Sequence, residues 1–81
     1  MFSVYIIYSP SLDKYYIGYT SDITKRMQEH NTGVSTFTSR ASDWQIKYLE
    51  SYPTREDARK REQFIKAKKS RKYLIWLIEQ G

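Results

Sequence analysis

Eighty-one residues, 40% hydrophobic and 16% aromatic, suffice for one small domain over residues 1–81 with a thin core, and leave no room for a hidden second domain. The absence of cysteine excludes a disulfide framework, a disulfide-linked partner and any thiolate metal site. It suits a reducing compartment, and the N-terminus lacks a basic flank with a long apolar run, so a cytoplasmic protein is expected.

The apolar runs, at about five residues, fall far short of the ~20 that span a bilayer, so no membrane partner is expected. The net charge of +5 is unevenly placed. Residues 1–54 carry five Lys or Arg and five Asp or Glu, whereas residues 55–81 carry nine against four, so the C-terminal third holds the whole excess. A one-sided basic field suits a polyanion, nucleic acid first. A solvated helix face accounts for the same charge.

In chain order, residues 2–8 read as a strand, because Phe2, Val4, Tyr5, Ile6, Ile7 and Tyr8 are β-branched or aromatic. Ser9-Pro10-Ser11-Leu12-Asp13 is turn chemistry, and Tyr15–Tyr19 is the returning strand. Ser21 or Asp22 can cap a helix that stops near Gly33. Residues 34–42, rich in Ser and Thr, read as a loop. Trp44–Tyr52 is a third strand with Ile46, Tyr48 and Tyr52 on one parity, ended by Pro53. Thr54-Arg55-Glu56-Asp57 has a cap and first-turn acids, opening a helix that runs to about Lys69. Ser70 can cap a last helix whose Tyr73 to Ile78 are expected to pack around most of its circumference. The order β-β-α-β-α-α predicts an α+β domain, a three-stranded antiparallel sheet flanked by helices.

Alternation along the hairpin puts Tyr5, Tyr16 and Gly18 on one face and Val4, Ile6, Tyr15 and Ile17 on the other, as a core layer. With no side chain at Gly18, space for a bulky anion is expected beside the two phenols. Tyr is also simply a good strand former. On the first helix, Arg26 and His30 lie one turn apart beside the stripe of Ile23 and Met27. A guanidinium at a buried edge needs an anionic partner, and its fork of donors suits a phosphate. His30, the single histidine, can relay a proton or bond a phosphate oxygen. The plainer readings are a structural salt bridge for Arg26 and a dipole-favoured C-terminal histidine for His30. On the second helix, Glu62 sits next to the buried stripe of Ala58 and Ile65. It can pair with Arg59 or Lys66, or ligate a hard cation. Spacing alone favours the ion pair.

Together these residues resemble the GIY-YIG nuclease superfamily, in particular its small stand-alone proteins, found mainly in bacteria. Ser3-Val4-Tyr5 stands where the first motif, Gly-Ile-Tyr, would stand, and Tyr16-Ile17-Gly18 matches the second. Arg26 and His30 match the family's helix Arg and the His four residues on, and Glu62 resembles its metal-binding Glu. The first motif departs at Ser3 and Val4. No Asn follows Asn31, where many family nucleases carry one after the Glu helix; Lys68 or Lys69 stands in roughly that neighbourhood.

The resemblance implies an endonuclease hydrolysing DNA phosphodiester bonds, with a place in repair or recombination, using a single Mg²⁺ or Mn²⁺ held by Glu62. It further implies that Arg26 steadies developing charge, with His30 beside it, and that Tyr5 or Tyr16 activates the attacking water. Gly18 and the basic stretch of Lys68, Lys69, Arg71 and Lys72 are expected to meet substrate phosphates. The alternatives are a non-catalytic nucleic-acid-binding module that keeps the fold, and a protein-interaction domain with Trp44 and Trp76 exposed as anchors.

Overall fold

A computed structural model describes residues 1–34 and 38–80, so residues 35–37 of the expected loop lie outside the described residues. Its elements are β1 (Phe2–Ser9), β2 (Lys14–Thr20), α1 (Ile23–Asn31), β3 (Gln45–Tyr52), α2 (Arg55–Ala67) and α3 (Arg71–Gln80). One sheet of order β2-β1-β3, antiparallel throughout, makes this the expected α+β fold. The hairpin turn puts Asp13 at φ 52°, a left-handed conformation that a short polar side chain tolerates, and its carboxylate accepts from Tyr8 and Arg71.

The helix ends follow local chemistry. Asp22 caps α1 by accepting from the Lys25 N–H, Thr54 caps α2 by accepting from the Asp57 N–H, and the Tyr73 N–H donates to Ser70 Oγ at the start of α3. Gly33, at φ 82°, takes the chain out of α1 in a conformation glycine adopts without strain.

The sheet separates two cores. Val4 and Ile6 face Ala58 and Ile65 of α2 and Leu74 and Leu77 of α3. Tyr5 and Ile7 face the other way, toward Trp44, Ile23 and Met27. Central strand β1 is therefore covered on both faces, and its residues Val4 to Ile7 are fully buried.

Two expectations change here. A register shift between Ile6 and Ile7 sets Tyr48 opposite Ile6 but Ile46 opposite Ile7. The bulge flips the face, so Ile46 joins the α1 side while Tyr48 and Tyr52 pack on the α2 side. On α3, Leu74 and Leu77 are buried, but Ile75 and Trp76 are exposed. One stripe of α3 packs, because only α2 and the sheet lie against it.

Candidate active site

The site lies at the edge of β2. Tyr5, Tyr16, Gly18, Tyr19, Thr20, Ser21, Arg26, Arg55 and Glu62 line one pocket of about 380 Å³. Arg26 comes from α1, on the Tyr5 face of the sheet, and Glu62 from α2, on the Val4 face. Because β2 is an edge strand, side chains from both faces reach around it into common space. Arg55 and Glu62 are seven residues apart on α2, hence on one helix face.

Tyr5 is the hub. Its phenol oxygen lies 2.8 Å from His30 Nε2, and His30 Nδ1 lies 2.6 Å from Thr38 Oγ1. All three side chains are fully buried. A neutral imidazole has one donor and one acceptor nitrogen. We assign Tyr5 O–H as donor to Nε2 and Nδ1–H as donor to Thr38, which leaves the phenol oxygen to accept from Arg26. Burial holds His30 down to about 4, and the nearby Arg26 charge adds to this. His30 is thus a neutral buried ring, and the dipole-favoured imidazolium is set aside. Burial likewise pushes the Tyr5 phenol up to about 12, against the hydrogen bond and charge of Arg26.

The neighbouring chain clamps this network. Trp44 Nε1 donates to the Thr38 carbonyl at 2.9 Å. The Trp44 N–H donates to Asn31 Oδ1 at 2.8 Å, and Asn31 Nδ2 donates to the Trp44 carbonyl. The loop before β3 is thereby fastened to the end of α1, which fixes the His30 ring. Tyr16 meets His30 edge-on, with ring centres 5.3 Å apart.

Gly18 has a different role from the one its missing side chain suggested. A Cβ there would sit 2.4 Å from the Tyr5 phenol oxygen and 2.6 Å from its ring carbon. The space above Gly18 is filled by Tyr5, not held open for an anion. The glycine lets the phenol cross β2 to reach Arg26 and His30.

Arg26 Nη1 donates to Glu29 Oε1 at 3.0 Å. Burial works to lower its pKa, but Glu29 and then Tyr5 outweigh it and raise it, so the guanidinium stays charged. Glu62, with its side chain only 13% exposed, pairs with Lys66 Nζ at 3.4 Å, while Arg59 pairs with Glu56 instead. Lys66 Nζ also stands 5.8 Å from the centre of the Tyr16 ring. Among the described residues no three carboxylate, His or Cys side chains gather as a metal cage. Glu62, the pocket's one lining carboxylate, fits a different arrangement: Mg²⁺ is commonly held by one or two carboxylates plus substrate phosphates.

The expected phosphate approach divides. Lys69 and Arg71 line a neighbouring pocket of about 320 Å³ with Lys14, Lys66 and Tyr15, and Arg71 is committed to Asp13. Lys68 instead lies against Phe64 and Tyr73, and Lys72 is exposed. Trp44 is buried and is no docking anchor. Sequence reasoning missed Arg55 in the pocket, and Thr38, Asn31 and Trp44 behind it. The loop that carries Thr38 and Trp44 has no periodicity to mark which residues turn inward, and Asn31 acts only through its contact with Trp44.

Comparison with known proteins gives this domain its class, a nuclease family. The GIY-YIG catalytic domain family matches residues 1–74, and the chain belongs to that family, one of nucleases acting on nucleic acid. Among its relatives, UPF0213 protein lwe0147 of Listeria welshimeri is 33% identical, over 84% of this chain and 77% of the relative. UPF0213 protein VNG_2274C of Halobacterium salinarum is 36% identical, over 82% and 86%. UPF0213 protein HQ_3675A of Haloquadratum walsbyi is 37% identical, over 79% and 72%. No solved structure matches the chain. Among the described residues, no helix is long and apolar enough to cross a membrane.

Proposed function

We propose that this chain is a metal-dependent DNA endonuclease hydrolysing phosphodiester bonds, with Mg²⁺ or Mn²⁺ as cofactor and a place in DNA repair or recombination. One observation carries the reading. Arg26 and Glu62, on helices packed against opposite faces of the sheet, line the same pocket together with the phenols of Tyr5, Tyr16 and Tyr19.

Glu62 would hold the cation jointly with a substrate phosphate oxygen. When bound, the cation supplies Lewis-acid polarisation of the scissile phosphate and favours deprotonation of nearby water and phenol. Arg26 directs a permanently charged donor fork at the pocket, suited to charge that develops on the phosphate oxygens. Tyr5 takes the proton of the attacking water on its oxygen as it passes its own to His30 Nε2, so no free phenolate is formed. Both transfers are uphill at rest, given a phenol near 12 and an imidazole near 4. An anionic phosphate favours the imidazolium. Tyr16 and Arg55 border the substrate, and Thr38 holds the imidazole in place.

Labelled duplex, flap, junction and single-stranded DNA, incubated with Mg²⁺, Mn²⁺ or EDTA, test the reading. Nicking by wild type is expected with metal alone. Glu62→Ala is expected to reduce it to background, and Arg26→Ala to lower it about 10²–10³-fold. Equal cleavage by wild type and Glu62→Ala would refute the assignment. Salt-sensitive binding without product on any substrate would leave a nucleic-acid-binding module in its place.

A further inference from the structure

The C-terminal charge excess coincides with a set of exposed rings that the pocket does not use. Phe64 on α2 and Trp76 on α3 are 48% and 52% exposed. Lys68 Nζ lies 4.5 Å from the centre of the Phe64 ring and 5.5 Å from that of Tyr73. Arg61 Cζ lies 5.4 Å from the centre of the Phe64 ring. The Tyr73 and Trp76 rings stand 5.8 Å apart at 32°. Lys72 precedes Trp76 by one helical turn and so neighbours it on the surface of α3. Rings and cations therefore alternate across two helices.

The composition of this strip selects its ligand. Protein-docking centres are depleted of charge around their aromatics, whereas here lysines stand among the rings. Arg61 is committed to Glu50 at 2.9 Å, which leaves Lys68 and Lys72 to meet phosphates. A duplex offers phosphates but keeps its bases stacked inside. A single strand presents phosphates and open base faces together, and it alone matches both features.

We propose that Phe64, Tyr73 and Trp76, with Lys68 and Lys72, form a stacking platform for single-stranded nucleic acid. The proposal rests on the preceding reading only for the class of polyanion. Phe64 and Glu62 are two residues apart on α2, about 200° around the helix, so the platform flanks the helix on the side away from the pocket. It holds an unpaired segment apart from the scissile position and favours substrates that carry one.

The test is binding in EDTA of a labelled oligo(dT) of about twelve nucleotides, within the usual site size of such platforms. Tryptophan emission serves as a second readout, because Trp44 is buried and Trp76 is not. Oligo(dT) is expected to quench the emission, and heparin, a polyanion without bases, is not. Trp76→Ala and Phe64→Ala remove no charge and sit on the surface, so folded variants are expected by circular dichroism. Each should weaken oligo(dT) binding about tenfold with an unchanged salt dependence. Lys68→Gln should instead lower the slope of log affinity against log salt by about 0.7. Wild-type affinity in both ring variants would overturn the platform, as would equal quenching by heparin or a variant effect confined to self-association of the protein. Binding is read in EDTA, where no metal-dependent cleavage occurs, so its outcome does not depend on nicking. Loss of the nuclease reading and loss of the platform therefore give different results.

Discussion

Val4 and Ile6 leave one face of β1, Tyr5 and Ile7 the other, and the two sides of the sheet are built differently. The side under α2 and α3 is an apolar layer of Ala58, Ile65, Leu74 and Leu77. The side under α1 buries a phenol, an imidazole and a hydroxyl in one hydrogen-bonded line. Apolar burial is non-directional and needs only volume and pattern. A buried polar line requires each partner in place, since an unmet donor or acceptor costs about 1–3 kcal/mol. Among the described residues no buried side-chain polar atom lacks a partner. The apolar side holds the fold together, and the polar side holds Arg26 against the pocket.

Truncation on each side separates these roles. Ile65→Ala, in the apolar layer, is expected to destabilise by about 2–5 kcal/mol, read by urea or thermal unfolding, with activity per folded molecule retained. That is a large fraction of the ~5–15 kcal/mol typical of a whole domain.

On the polar side, acid is expected to act through His30. His30 is held at about 4 against an ordinary 6.5, so the unfolded chain takes up a proton before the folded one does. The stability it supplies is complete above pH ~6.5 and is lost as pH falls toward about 4, amounting to about 3 kcal/mol. Melting temperature against pH should show this fall in wild type. His30→Gln should flatten it, and an equal slope in both would show that other groups cause it.

Gly18→Ala places a methyl group 2.4 Å from the Tyr5 oxygen, so the phenol must move off His30 and Arg26. We expect about 1–3 kcal/mol of destabilisation by denaturant titration and a loss of nicking beyond it. Unchanged activity would show that the phenol's position is immaterial.

The smallest effect is expected at Lys66, whose exposed ammonium competes with a cation for Glu62. Lys66→Gln should lower the Mg²⁺ concentration needed for half-maximal nicking by about two- to fivefold.

Much of this architecture was legible in the chain, because strands, caps and turns are local. Runs of β-branched and aromatic residues around a turn marked β1 and β2, and Thr54 and Ser70 marked the starts of α2 and α3. The motif residues Tyr5, Tyr16, Arg26 and Glu62 also stood out, and the structure brings them to one pocket. What local pattern missed depends on contacts between distant segments. Parity put Ile46 with Tyr48, but a bulge opposite β1 separated them. Gly18 read as open space because the chain does not say which neighbour crosses it. Thr38 sat in a loop without periodicity, and only its contact with His30 gives it a role.

The amino-acid sequence by itself determined the element order, the one-sided charge and the identity of the chemical groups, since these follow from side-chain type and spacing along a few turns of chain. Tertiary structure alone decided that an edge strand lets two helices on opposite faces share a pocket, and that His30 is buried and neutral beside Tyr5. Both are consequences of packing, which sets distance and dielectric between residues far apart in the chain, and no spacing rule encodes either.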